Sequence, residues 1–200
     1  EKSTLQTFEI NGKPCHLGGI GKGSGMIAPS LATMLIFFTT DVAIAPPVLH
    51  QALQAANKAS FNRISVDSDT STSDTIYLLA SGMAGNNEIS QAHGEAYEQF
   101  VNSLTAACQD LAEQIVVDGE GATRTFELQV KGMRSIEEAD KVGHAVTNSP
   151  LVKTAIHGCD PNWGRLLMAA GKAGVELNPA IFTAKIQGIN VFENNTPTVT

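Results

Sequence analysis

Aromatic side chains are scarce, 6% of 200 residues, and charged residues make up only 16% against a hydrophobic fraction of 42%. That balance describes a globular chain with enough length to bury a sizeable core, as one domain or two small ones. Basic residues are few: 13 Lys and Arg face 20 Asp and Glu, for a net charge of -7, and no basic cluster offsets the excess. This argues against a nucleic-acid surface. The three cysteines, Cys15, Cys108 and Cys159, are far apart and odd in number. Neither a CxxC pair nor a disulfide framework can be built from them, which favours a reducing compartment. No apolar run approaches the ~20 residues that a bilayer-spanning helix needs. Glu1 to Thr7 has none of the character of a signal peptide. A starting Met is also lacking, and a piece of a longer product is expected.

What is present alternates between strand and helix signals. Thr4 to Ile20 carries β-formers around Asn11-Gly12 and predicts a hairpin. Met34 to Thr40 predicts a strand, and Pro46-Pro47 opens a helix from Val48 to Ser60. Asn62 to Val66 reads as a short strand. Asp67 to Asp74 reads as a polar loop, with Asp74 either capping a helix or leading into the apolar run Ile76 to Ala80. Ser90 to Ile115 is the strongest helix pattern, placing Ala96, Phe100, Leu104, Ala107 and Leu111 on one face. Asp118-Gly119-Glu120-Gly121 ends it in a turn. Thr123 to Lys131 alternates as a half-buried strand, and Ser135-Ile136-Glu137-Glu138 opens a helix to Thr147 as a capping box. A further helix runs from Asn162 to Lys172, and Ile181 to Phe192 closes with strands turned at Gln187-Gly188. This order predicts mixed α/β layers.

The glycine-rich stretch Lys22-Gly23-Ser24-Gly25-Met26-Ile27-Ala28-Pro29 invites phosphate-binding readings, and both common ones fail. Pro29 forbids a helix running on from the loop, as a dinucleotide fingerprint requires, and Gly23 stands where a P-loop needs Ser or Thr. The loop instead delivers Lys22 and backbone N–H groups near Thr33, a threonine at a loop-to-strand junction. Were the Ala32–Thr33 bond cut, Thr33 would carry both a hydroxyl nucleophile and its own amine base. Of the five histidines, His50 and His93 are placed on helices, as solvated or core residues. His157-Gly158-Cys159 lacks a second ligand pair at zinc spacing, so no metal site is expected. Asp67-x-Asp69-x-Ser71-x-Ser73 departs from a calcium loop at Thr72 and Leu78. Glu120, held clear of the helix by its glycines, is free to meet a substrate ammonium. Asp160 is expected to cap the helix that carries Trp163, and Arg165 to find a partner elsewhere.

Taken together, several segments resemble the ornithine acetyltransferase (glutamate N-acetyltransferase) family of arginine biosynthesis. They are Lys22 to Pro29, Ala32-Thr33-Met34-Leu35, Thr39-Thr40-Asp41, Asp69-Thr70-Ser71-Thr72, Asp118 to Thr123, Asn148 to Ala155 and Asn162-Trp163-Gly164-Arg165. They fall in the family's order across nearly the whole chain. The resemblance implies a layered α/β sandwich, distinct from the fold of the ordinary N-terminal-nucleophile hydrolases. It also implies self-cleavage between Ala32 and Thr33, which would make residues 1–32 the end of an α chain and residues 33–200 a C-terminally truncated β chain. Thr33 would then be the catalytic nucleophile, moving acetyl from N2-acetyl-L-ornithine to L-glutamate through an acetyl-threonine ester. Its α-amine, with an intrinsic pKa of ~7.7–8.0, would serve as base.

Family substrate contacts fall on Lys22, Thr33 and Glu120, with Lys22 meeting a carboxylate and Glu120 an ammonium. No cofactor or metal is implied. Acetyl-CoA as co-substrate, the feature that separates bifunctional members, is left open. Cytoplasmic location and an α/β heterodimer pairing into a heterotetramer are implied as well. The chain departs from the family pattern at Ser30-Leu31 for Asn-Met, Gly21 for Cys and Ser68 for Gly. The family's Thr-Gly oxyanion donors belong to a region upstream of Glu1, and Asn195 and Thr200 come too soon after the last strand to stand for its C-terminal site residues. Two other readings remain open at this point: an amidase or aminopeptidase using the same threonine with water as acceptor, and a non-catalytic fragment that never cleaves.

Overall fold

A computed structural model of the chain describes residues 1–27, 34–69 and 73–198. It divides into two compact units, Glu1–Ala122 and Thr123–Thr200. The first is built on a sheet of order β1-β2-β3-β4 among the described residues. Strands β1 (Lys2–Ile10) and β2 (Lys13–Lys22) form the expected hairpin, with Asn11 and Gly12 at φ 52° and 73°. Both central residues of such a tight turn need positive φ, which Asn and Gly supply. Strand β3 (Leu35–Thr40) runs antiparallel to β2, and β4 (Thr75–Ala80) runs parallel to β3. The parallel pair requires a crossover, and α1 (Pro46–Lys58) lies within it, its two prolines fixing the first turn.

Helices α1 and α2 (Glu95–Val117) pack on each other, and α2 lies along β1 and β2. The 3.6-residue spacing of Phe100, Leu104, Ala107, Cys108, Leu111 and Ile115 puts all of them into the core. They meet Ile10, Cys15, Leu17, Ile36 and Phe38 from the strands, all fully buried. Phe38 fits because its register partner is Gly19: a Cβ there would sit 2.4 Å from the Phe38 ring. The opposite face of the same sheet is open. Leu5, Ile20, Phe37, Tyr77 and Leu79 are 42–71% exposed on it, with Phe37 stacked on Tyr77 at 5.4 Å.

The second unit carries α3 (Ile136–Thr147), α4 (Pro150–His157) and α5 (Trp163–Gly171). A meander follows, of β5 (Thr183–Ile186), β6 (Ile189–Glu193) and β7 (Thr196–Pro197). Each helix starts at a side-chain cap: Ser135, Ser149 and Asn162 accept from the N–H groups of Glu138, Val152 and Arg165. Val142, Val146, Val152, Ala169 and Ala170 form one small core, and Trp163 stacks on Phe192 at 5.1 Å in another. Among the described residues, no helix is long and apolar enough to cross a membrane.

Several local expectations are corrected. Asn62 to Val66 is not a strand: Phe61–Arg63 forms a 3₁₀ turn that buries Phe61, and Val66 donates to the Ile27 carbonyl at 2.7 Å. Helix α2 begins at Glu95 rather than Ser90, because Gly94 at φ 90° breaks the backbone and Gln91 to Gly94 bury nothing. His93 therefore precedes the helix. Thr123 to Lys131 keeps its apolar alternation, with Leu128 and Val130 against the small core, but is assigned to no ladder. A strand requires a partner as well as a pattern. Asn162, not Asp160, caps α5. The helix α4 was not among the sequence expectations.

Candidate functional site

The glycine-rich loop leaves the sheet at Lys22, the last residue of β2, whose register partner is Leu35 at the start of β3. The loop and the chain that returns to β3 are thus anchored side by side. Thr33 and Ala32, the candidate nucleophile and cleavage site, lie outside the described residues. Their flanks are described: Ile27, buried, on one side and Met34, buried, on the other.

Glu120 is brought to the same loop. Helix α2 ends at Val117, Gly121 turns at φ 71°, and the Glu120 N–H donates to the Ser24 carbonyl at 2.7 Å. Its carboxylate lies against Gly25, with Oε2 2.7 Å from where a Cβ on that residue would stand. Any side chain at position 25 would therefore displace Glu120, which is a physical reason for glycine there. Lys22 and Glu120 are both exposed side chains of this loop region. One cation and one carboxylate at a common loop are the complement of a zwitterion, an amino acid above all.

Two carboxylates that sequence reasoning passed over hold the backbone on either side. Asp67 accepts from the Met26 N–H at 2.5 Å through Oδ2 and from the Ile27 N–H at 3.0 Å through Oδ1. Met26 sits at φ 56°, a left-handed conformation that costs a non-glycine residue roughly 1–2 kcal/mol. The two hydrogen bonds accepted by Asp67 act against that cost. Asp74 accepts from the Met34 N–H at 2.6 Å, and the Thr75 N–H returns to the Met34 carbonyl at 3.0 Å. Burial pushes the Asp74 carboxyl above its ordinary value, while the Met34 N–H opposes the shift. Asp67 had read as part of a solvated loop, and Asp74 as a helix cap or a lead into the next run. The second alternative for Asp74 is the one observed, since it immediately precedes β4. Ser68, which stands where the family pattern has Gly, adopts φ 72°, so the backbone explains the glycine it replaces.

Other candidate groups lie elsewhere. His16 Nδ1 pairs with Asp41 at 2.7 Å near the far end of the sheet, beside an open depression of about 630 Å³ lined by Leu5, Gly18, Thr39 and Leu79. His157 bonds the Thr123 hydroxyl at 3.1 Å, and Cys159 is exposed. Cys15 and Cys108 are buried, and burial pushes the Cys108 thiol to about 12, which removes it as a nucleophile near neutral pH. Arg165 finds its partners in the Leu151 carbonyl at 2.9 Å and the Thr154 hydroxyl at 3.0 Å. Asn195 sits at φ 59° in the β6–β7 turn, and Thr200 lies outside the described residues.

A model of the ArgJ family matches residues 1–200. A relative from Geobacillus stearothermophilus, named arginine biosynthesis bifunctional protein ArgJ, is 49% identical over 170 residues, 85% of this chain and 41% of the relative. One from Methanocaldococcus jannaschii, named glutamate N-acetyltransferase, is 49% identical over 182 residues, 90% of this chain and 44% of the relative. The chain thus spans less than half the length of these relatives. The crystal structure of the arginine biosynthesis bifunctional protein ArgJ from Bacillus halodurans superposes with a TM-score of 0.77 at 42% identity, covering 81% of this chain and 76% of that one. The α/β architecture is therefore that of a solved family member. The glycine loop, its acidic partners and the sheet that carries them lie within a match running from the first residue to the last, and the chain belongs to the ArgJ family.

Proposed function

We propose that the protein carrying this chain transfers an acetyl group from N2-acetyl-L-ornithine to L-glutamate, in arginine biosynthesis, through an ester on Thr33. The observation that carries the reading is one loop that starts at Lys22, the end of β2, and is hydrogen-bonded by the Glu120 N–H at Ser24, with the chain continuing through Thr33 to β3. Thr33 Oγ attacks the Ala32 carbonyl carbon, the peptide C–N bond breaks, and water hydrolyses the resulting ester. The products are an Ala32 carboxylate and a free Thr33 α-amine. That amine then takes the hydroxyl proton as Oγ attacks the acetyl carbonyl of acetylornithine, and ornithine leaves with the proton on its nitrogen. Glutamate's amine attacks the acetyl-Thr33 ester, forming N-acetylglutamate and restoring the hydroxyl. Splitting the transfer in this way replaces one difficult step by two easier ones. Lys22 holds a substrate carboxylate and Glu120 a substrate ammonium.

Cleavage need not separate the pieces. β2, before the cut, and β3, after it, form a ladder from Leu17↔Thr40 to Lys22↔Leu35, so both products would share one sheet. An α/β heterodimer, pairing into a heterotetramer in the cytoplasm, follows in this proposal. The test is ornithine release by the purified full-length protein. Release that depends on glutamate and yields acetylglutamate supports the reading. Release at the same rate without glutamate would overturn it in favour of a hydrolase. Acetyl-CoA is added in a parallel assay, where liberation of free CoA would establish it as a second donor.

A further inference from the structure

The carboxylates of Asp67 and Asp74 hold the backbone on the two sides of residues 28–33. We infer that Asp67 and Asp74 are positioning residues for scission at Ala32–Thr33, pinning Met26–Ile27 and Met34, the described residues that flank residues 28–33. The inference rests on the cleavage reading above and adds to it the groups that make cleavage geometrically productive. Each acts through the backbone it holds.

The physical basis is the cost of ordering. An intramolecular attack is fast only when the reacting atoms are held near attack distance, and a misplacement of 1 Å costs on the order of 100-fold. Fixing both ends of a short segment removes most of the conformational freedom that would otherwise have to be lost at the moment of reaction. Asp67 holds its end against an unfavourable conformation, since Met26 is a non-glycine residue at φ 56°. Ile27 is locked further, its side chain buried and its carbonyl accepting from Val66 at 2.7 Å. Met34 is locked by the Asp74 bond on its N–H and the Thr75 bond on its carbonyl. Both clamps come from the same polar loop and its exit into β4, which lies beside β3 in the sheet.

The two carboxylates differ in a way that makes the inference testable. Asp67 uses both oxygens: Oδ2 accepts from Met26, while Oδ1 accepts from Ile27 and from Asp69 at 3.1 Å. Asn at this position would offer one oxygen and would turn an NH₂ donor toward a backbone donor. Among the described residues, Asp74 accepts through Oδ1 from Met34, a role that an amide oxygen can fill. Burial disfavours the charged form of Asp74, while the Met34 N–H opposes that shift.

The experiment follows cleavage of the full-length protein by intact mass during cell-free synthesis, with thermal unfolding of each product measured alongside. Asp67→Asn and Asp74→Ala are expected to cut about 100-fold more slowly than wild type while remaining folded. Asp74→Asn is expected to cut within a few fold of wild type. A merely structural role would lower the unfolding temperature without producing this order of rates. Wild-type cleavage rates in Asp67→Asn and Asp74→Ala, or equally slow cutting in both Asp74 variants, would overturn the inference. If Asp67→Asn fails to fold, the Asp74 pair decides alone. An uncut wild type would overturn the cleavage reading itself, and the inference with it.

Discussion

The two faces of the first sheet are made of similar residues and meet opposite fates. On one, Leu17, Ile36 and Phe38 are fully buried beneath the helices; on the other, Ile20, Phe37 and Leu79 are exposed. Phe37 and Phe38 are sequence neighbours that differ only in which way the pleat turns them. Leu35-Ile36-Phe37-Phe38 is apolar at every position, the pattern of a strand covered on both faces rather than of one with a wet side. The lesson is that sequence pattern reports what a strand is suited to bury, whereas the covered face is decided by which helices the chain supplies. Here α2 supplies a stripe of seven buried residues from Phe100 to Ile115, and it serves one face only.

The sharpest way to break this contrast is to truncate the neighbours in turn. Phe38→Ala is expected to cost about 3–5 kcal/mol, because it removes a fully buried ring and leaves a cavity under α2. Phe37→Ala should cost only about 0.5–1.5 kcal/mol, mainly its stacking on Tyr77. Urea unfolding of the chain measures both. Equal losses would show that the open face is covered in solution. A smaller effect comes from the His16–Asp41 pair near the same sheet's far end. Burial raises the Asp41 carboxyl, but bonds from the His16 backbone N–H and ring, together with the ring's charge, outweigh it and hold the group below its ordinary value. A lowered folded value stabilises at pH above the unfolded carboxylate value near ~3.9, and that contribution is lost as pH falls through the folded value. Asp41→Asn should therefore flatten the loss of stability below about pH 4, read by acid titration of the unfolding temperature. An unchanged acid limb would remove Asp41 from the account.

What was legible in the sequence was mostly local. The hairpin at Asn11-Gly12, the prolines opening α1, and the Ser135 cap each declare themselves within a few residues, and each is found. Failures came where a second segment decides. Thr123 to Lys131 has a strand's alternation without a ladder. Asp160 and Asn162 are both good caps, and only the backbone's path chooses Asn162. At the site, Lys22 and Glu120 were nominated by resemblance, and the structure places both at the glycine loop. Asp67 and Asp74 carried no local signal, because their partners lie 40 or 41 residues upstream. The family pattern's Gly at position 68 becomes intelligible only once Ser68 is seen at φ 72°.

The central claim is that Thr33 is an internal residue destined to become an N-terminus. Intact mass of the purified full-length protein tests it most directly, read beside Thr33→Ala. The account predicts two polypeptides from the wild type, the second beginning at Thr33, and a single uncut chain with no acetyl transfer from Thr33→Ala. A wild type that stays whole, or a Thr33→Ala variant that still divides at the same bond, would contradict it.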